Sequence, residues 1–102
     1  MKKTLLLACL LGSGLLLTAP AQASEALAKK NNCMTCHGIA NKVVGPAFKD
    51  IATKYKGQNV QAKLEEKVRK GGSGSFGPIP MSPNPQVPDA ELKLLVKWVL
   101  SQ

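Results

Sequence analysis

Cys33-Met34-Thr35-Cys36-His37 is the stretch on which the reading of this chain turns. Two thiols at C-x-x-C spacing, followed at once by an imidazole, form the attachment pattern of a c-type haem. Each thiol can form a thioether to a vinyl group of the porphyrin, and the adjoining histidine then lies under the ring, close enough to bind the iron. Cys33 and Cys36 are therefore the candidate covalent anchors of one haem c, and His37 is the candidate proximal ligand. Other chemistries of the pattern ask for more than the chain offers. Structural zinc needs four ligands, yet His37 is the only histidine and Cys9 the only further cysteine. A thioredoxin-like dithiol sits in a βαβ setting, and no alternating run precedes Cys33. A disulfide closing so short a loop adds little stability to a fold of this size.

A second ligand has to come from elsewhere. From Gly71 to Pro88 the chain holds four glycines and five prolines, which excludes a helix and disfavours a central strand. An irregular loop of that length is uncommon in a small domain unless it has a task. Met81 stands within it, in Gly77-Pro78-Ile79-Pro80-Met81-Ser82-Pro83-Asn84-Pro85. The prolines restrict φ and hold the backbone extended, so a thioether can be presented to the far face of the ring without a helix. Methionine also fills gaps in ordinary cores, but the other two are poorly placed. Met1 lies at the very start, and Met34 is trapped between the tethered cysteines. Met81 is the candidate distal ligand.

The chain opens with Lys2-Lys3, an apolar run from Leu5 to Leu17, and the small-x-small pattern Ala21-Gln22-Ala23. That order reads as a secretory signal peptide, residues 1–23, removed to leave a single domain, residues 24–102. The apolar run is shorter than the roughly 20 residues a membrane span needs, so no stable membrane insertion is expected after cleavage. A domain this small sits near the lower limit for a self-sufficient core, and Phe48, Tyr55, Phe76 and Trp98 are its only aromatics. A porphyrin at the centre supplies the missing apolar surface.

The remainder reads as all-α. A short helix from Ser24 to Asn32, with Ser24 as N-cap, leads into the haem motif. Pro46 suits the first turn of a second helix carrying Ala47, Phe48, Ile51, Ala52 and Tyr55, stopped by Gly57. A third helix, Asn59 to Lys70, carries Val60, Leu64 and Val68 as its inner stripe and ends at Gly71-Gly72. The last, Asp89 to Ser101, has one apolar ridge of Leu92, Leu95, Val96 and Val99 and another of Leu94 and Trp98, so it should be well buried. Trp98 reads as a core residue rather than an electron relay.

The formal charge is +8, two units of which leave with Lys2 and Lys3. No recognition motif supports nucleic-acid binding. The lysines are either a solvated surface or a means of steering towards redox protein partners with acidic docking surfaces.

Taken together, the segment from Ser24 to Gln102 resembles the small bacterial class I cytochromes c, specifically the short class ID group. The resemblance is carried by Cys33 to His37, by Lys42-Val43-Val44-Gly45-Pro46-Ala47, by Gly77-Pro78-Ile79-Pro80-Met81, by Pro83-Asn84 and by Lys97-Trp98-Val99-Leu100. It implies about four short helices around one covalently bound haem c, the first and last crossing, with one haem edge exposed. It further implies three supporting residues for the cofactor. The Pro46 carbonyl would accept a hydrogen bond from His37, Asn84 would make a polar contact near the Met81 sulfur, and Lys67 would lie near a haem propionate. Three departures stand out. Phe76 occupies the place of a tryptophan whose N–H would reach a propionate, and Ser82 replaces a proline after the methionine. Pro88 replaces a capping side chain, leaving Asp89 as the expected cap.

Histidine and methionine on the two faces would fill all six positions of the iron, which favours electron transfer over catalysis and raises the reduction potential. The expectation is a soluble, monomeric, periplasmic one-electron carrier rather than an enzyme. It would run from a membrane quinol-oxidising complex to a terminal oxidase, nitrite reductase or peroxidase. The same electron chemistry would also suit a fixed electron-entry subunit of a larger enzyme. A gas-binding or sensing haem protein with a labile sixth ligand is the alternative, but the four-helix gas-binding cytochromes carry C-x-x-C-H near the C-terminus and have no methionine loop.

Overall fold

The computed structural model of the protein describes Gly12 and residues 20–102. The signal features at Lys2, Lys3, Cys9 and Leu5 to Leu17 lie outside the described residues. Four α-helices follow one another: α1 (Pro20–Lys30), α2 (Phe48–Lys54), α3 (Gln61–Lys70) and α4 (Asp89–Leu100), with a single 3₁₀ turn at Cys33–Thr35. Among the described residues there is no strand, only two isolated bridges, His37 with Lys42 and Gly72 with Met81.

The organising element is α4, against which α1, α2 and α3 all pack. Leu92, Leu95, Val96 and Trp98 form its inner face and join Ala28, Phe48 and Val87 in one core, with Leu27, Ile51, Leu64, Val68 and Val99 against it. Ala28 is buried in α1, and so small a residue lets α1 approach α4 closely. Phe48 meets Trp98 edge to face at 5.3 Å, a favoured geometry for aromatic pairs. Full burial of a side chain such as Leu92 contributes about 1.5–3 kcal/mol. α4 is not covered all round, however. Leu94 is 52% exposed, because it lies two residues, some 200° of helical rotation, from Leu92 and so faces away from the three partner helices.

Helix starts also depart from expectation, each for a local reason. α1 begins at Pro20, a residue preorganised for a first helical turn; Ser24 is therefore inside the helix and buried rather than capping it. Pro46 precedes α2 instead of opening it. Ala47 is extended (φ −62°, ψ 146°), and the first amides of the helix, Phe48 and Lys49, are taken by the carbonyls of Gly38 and Ile39 at 2.9 and 3.0 Å. The loop after the haem motif thus does the work of a cap. At α4 the N-cap position falls to Pro88, with no side-chain bond, so Asp89 does not cap; it sits in the first turn and receives Arg69 from α3. Arg69 also donates to the Val87 carbonyl at 3.3 Å, and Lys30 pairs with Glu91 at 2.9 Å, tying α1 to α4.

Candidate functional site

The motif owes its shape to the residue before it. Asn32 adopts φ 60°, ψ 21°, a left-handed conformation that asparagine tolerates better than most residues. The chain turns sharply out of α1 and into the 3₁₀ turn, closed by Cys36 N–H to the Cys33 carbonyl at 3.2 Å and His37 N–H to the same oxygen at 3.0 Å. With three residues per turn, positions i and i+3 eclipse, so Cys33 and Cys36 present their thiols on the same side, and both line one cleft. Neither forms a disulfide. Burial pushes the Cys33 thiol up from its ordinary range.

His37 is fixed on several sides. Its Nδ1 donates to the Pro46 carbonyl at 2.7 Å, and its ring stacks on Phe48 at 5.1 Å with 21° between planes. Gly45 lies against the ring so closely that an added Cβ would stand 2.7 Å from Cε1. The Gly45 and Val44 amides in turn hold the Cys36 carbonyl at 2.7 and 3.1 Å. With Nδ1 carrying the proton, Nε2 keeps its lone pair, the arrangement in which a carbonyl partner sets tautomer and ring orientation.

Met81 is held by its backbone. It exchanges two hydrogen bonds with Gly72, at 2.8 and 3.0 Å. Gly71, at φ +69°, passes so near that a Cβ there would be 2.3 Å from the Met81 carbonyl oxygen, so glycine is required both for the turn and for the approach. Asn84 anchors the far end of the loop, its amide N–H reaching the Val68 carbonyl at 2.8 Å. Its side-chain Nδ2 donates to the Ser82 carbonyl at 3.0 Å, a short local bond of the kind that asparagine makes readily.

The cleft between these segments has a volume of about 290 Å³. His37 and Met81 line it together with Cys33 and Cys36; Leu64, Ile51 and Pro46 make up part of its apolar wall, and Lys63 and Lys67 border it. The Lys67 ammonium lies over Gly72, within 3.1 Å of where a Cβ would be. Val44, Phe76 and Ile79 also line the cleft although 50%, 42% and 59% exposed, apolar surface that a flat hydrophobic ring would cover. Among the described residues no three or more His, Cys, Asp or Glu side chains gather as a metal cage. Two thiols on one side, one imidazole lone pair, one thioether, apolar walls and a basic border fit a covalently attached haem.

Some contributors carried no legible signal. Gly45 stands out in the sequence only as part of the stretch Lys42 to Ala47, yet it sets the space for His37. Nothing in the sequence sets Lys54 and Lys63 apart from the other lysines, yet the Lys54 ammonium lies 4.4 Å from the Phe76 ring centroid and that of Lys63 lies 5.6 Å from that of Tyr55. Asn32 could have been suspected as one of two asparagines between a helix and a rigid motif.

An all-helical domain with a haem-attachment turn and a methionine loop facing one cleft defines a small monohaem cytochrome. Comparison with known proteins agrees. The sequence model of the family Cytochrome c matches residues 21–102. The chain is 49% identical over 100 residues to cytochrome c-552 of Nitrosomonas europaea, covering 97% of each, and 48% identical over 96 residues to cytochrome c-551 of Pseudomonas aeruginosa, covering 91% of each. Its fold superimposes on the crystal structure of wild-type Nitrosomonas europaea cytochrome c552 with a TM-score of 0.72 at 50% identity, covering 76% of this chain and 96% of that one. It superimposes on the class 1 cytochrome MtoD from Sideroxydans lithotrophicus with a TM-score of 0.69 at 34% identity, covering 82% and 97%. The chain belongs to the cytochrome c family and, with it, to the small electron-transport cytochromes whose cofactor is covalently bound haem c.

Proposed function

We propose that the protein is a soluble, monomeric, periplasmic one-electron carrier, freed from its signal by a cut after Ala23. Cys33 and Cys36 would hold the haem through thioethers, and His37 Nε2 and the Met81 sulfur would bind its iron. When bound, the haem supplies a single-electron couple whose potential a thioether ligand raises. The chain's own residues do the rest: Pro46 keeps the imidazole oriented, the Gly72–Met81 bridge keeps the thioether in reach, and Lys67 offers positive charge to a propionate. Asn84 belongs to the same support through the loop backbone. Holding both ligands on hydrogen-bonded backbone leaves little to rearrange when an electron arrives.

The observation that carries the reading is that His37 and Met81 line one cleft while each is fixed by its own backbone contacts. With His37 and Met81 both on the iron, no position would be left for a substrate, which supports a carrier rather than an enzyme. Its electrons come from a membrane quinol-oxidising complex and go to a terminal oxidase, nitrite reductase or peroxidase, through partners with acidic docking surfaces that the basic chain steers towards. Among the described residues no helix is long and apolar enough to cross a membrane.

The test is the optical spectrum of protein matured with haem in the periplasm, oxidised and reduced, with and without carbon monoxide. The expected result is low-spin in both states, a sulfur-to-ferric-iron band lost in Met81→Ala, and no response to carbon monoxide. A ready shift with carbon monoxide would show an exchangeable sixth position and replace this reading with a gas-binding one.

A further inference from the structure

Phe76 has no N–H with which to fasten itself in the cleft, and the structure shows what fastens it instead. Lys54, the last residue of α2, sends its ammonium across to the glycine-rich loop, where it donates to the Ser75 carbonyl. On the way it lies 4.4 Å from the Phe76 ring centroid and 5.7 Å from that of Tyr55. Tyr55 is buried and meets Phe76 nearly edge-on, at 6.3 Å and 78°. Lys54 is exposed, yet its ammonium binds a carbonyl and an aromatic face together, a favourable pairing for an ammonium. Ser75, Phe76 and Tyr55 all line the cleft. Neither Lys54 nor Lys63 nor Lys67 is paired with a carboxylate, since the four salt bridges among the described residues use other cations.

We infer that Lys54 is a positioning residue for the haem: it clamps Ser75-Phe76 to the end of α2 and holds an uncompensated positive charge beside the cleft. The inference rests on the electron-carrier reading above. Reduction adds one electron from the donor protein to ferric iron, giving ferrous iron and lowering the charge of the centre by one unit. A fixed cation nearby therefore favours the reduced state. The clamp also closes the wall that a tryptophan would otherwise have fastened.

The experiment uses haem-loaded protein carrying Lys54→Gln or Lys54→Arg, with two readouts: the reduced-to-oxidised ratio at fixed ambient potential, at low and high salt, and amide exchange at Gly74, whose N–H bonds the Gly77 carbonyl within the clamped loop. For Lys54→Gln we expect that ratio to fall about two- to fivefold at low salt and less at high salt, with faster exchange at Gly74. Lys54→Arg, which keeps charge and donors, restores both. An unchanged ratio, unchanged exchange, or a shift that arginine does not restore overturns the assignment. If the unsubstituted protein binds carbon monoxide readily, the electron-carrier reading fails instead, before Lys54 is altered.

Discussion

Gly45→Ala puts one methyl group where the imidazole of His37 already is. The new Cβ would stand 2.7 Å from Cε1, 3.1 Å from Nδ1 and 3.3 Å from Nε2. The ring cannot step aside cheaply, because Nδ1 is tied to the Pro46 carbonyl at 2.7 Å and the face rests on Phe48. Overpacking of this kind costs about 1–3 kcal/mol, and losing the Nδ1 bond adds about 1 kcal/mol. The sum, about 2–4 kcal/mol, is a large share of the stability of so small a domain and corresponds to a fall of about 10 °C or more in melting temperature. Guanidinium unfolding of the haem-loaded variant, followed by Trp98 fluorescence and haem absorbance, measures it. Gly57→Ala is the comparison: its Cβ meets nothing within 4 Å, but φ is +77°, so only a backbone cost of about 1–2 kcal/mol applies. A loss for Gly45→Ala below about 0.5 kcal/mol, or smaller than that of Gly57→Ala, would refute the claim that His37 is immobilised by its surroundings.

Three further outcomes are expected. Trp98→Ala, which removes the edge-to-face partner of Phe48, should cost about 3–5 kcal/mol in guanidinium unfolding followed by haem absorbance alone. Lys70 lowers the Glu66 carboxyl below its ordinary 4.5 by hydrogen bonding and charge; a depressed carboxylate stabilises the fold above its unfolded pKa and ceases to do so as pH falls through the folded one. Glu66→Gln should therefore change the acid limb of the stability curve below about pH 4.5 and flatten its dependence there, checked by melting temperature against pH. Haem-free chain should be largely unfolded, with Cys33 and Cys36 alkylated at equal rates; slower reaction at Cys33, whose thiol burial raises in the fold, together with a cooperative melt, would contradict this.

Much of the architecture was legible because a few residues leave little choice. Glycine and proline between 71 and 88 read as a loop, and the spacing of Leu64 and Val68 marks the inner side of α3, although α3 starts at Gln61, with Val60 at its N-cap, rather than at Asn59. What escaped was decided by tertiary contact. α2 starts at Phe48 because the Gly38 and Ile39 carbonyls receive its first amides, which no capping rule for side chains anticipates. Leu94 is exposed because three helices crowd one side of α4 and none the other. In the site, the types and spacing of Cys33, Cys36, His37 and Met81 stood out on their own. The pressure of Gly45 on the imidazole and the reach of Lys54 to Ser75 depend on how separate loops and helices are brought together, and no pattern along the chain encodes them.

The start of α1 has a consequence for the order of events in the cell. The proposed cut after Ala23 falls inside a helix that runs from Pro20, and a peptidase grips its substrate extended, with the backbone groups of the scissile segment free. On that proposal the cut would come before α1 coils, and processing would precede folding. Once made, it leaves Ser24 with a new ammonium at the positive end of the shortened helix, an unfavourable placement of about 0.3–1 kcal/mol at low salt. The helix is then retained not by its own first turn but by Ala28 and Leu27 against α4.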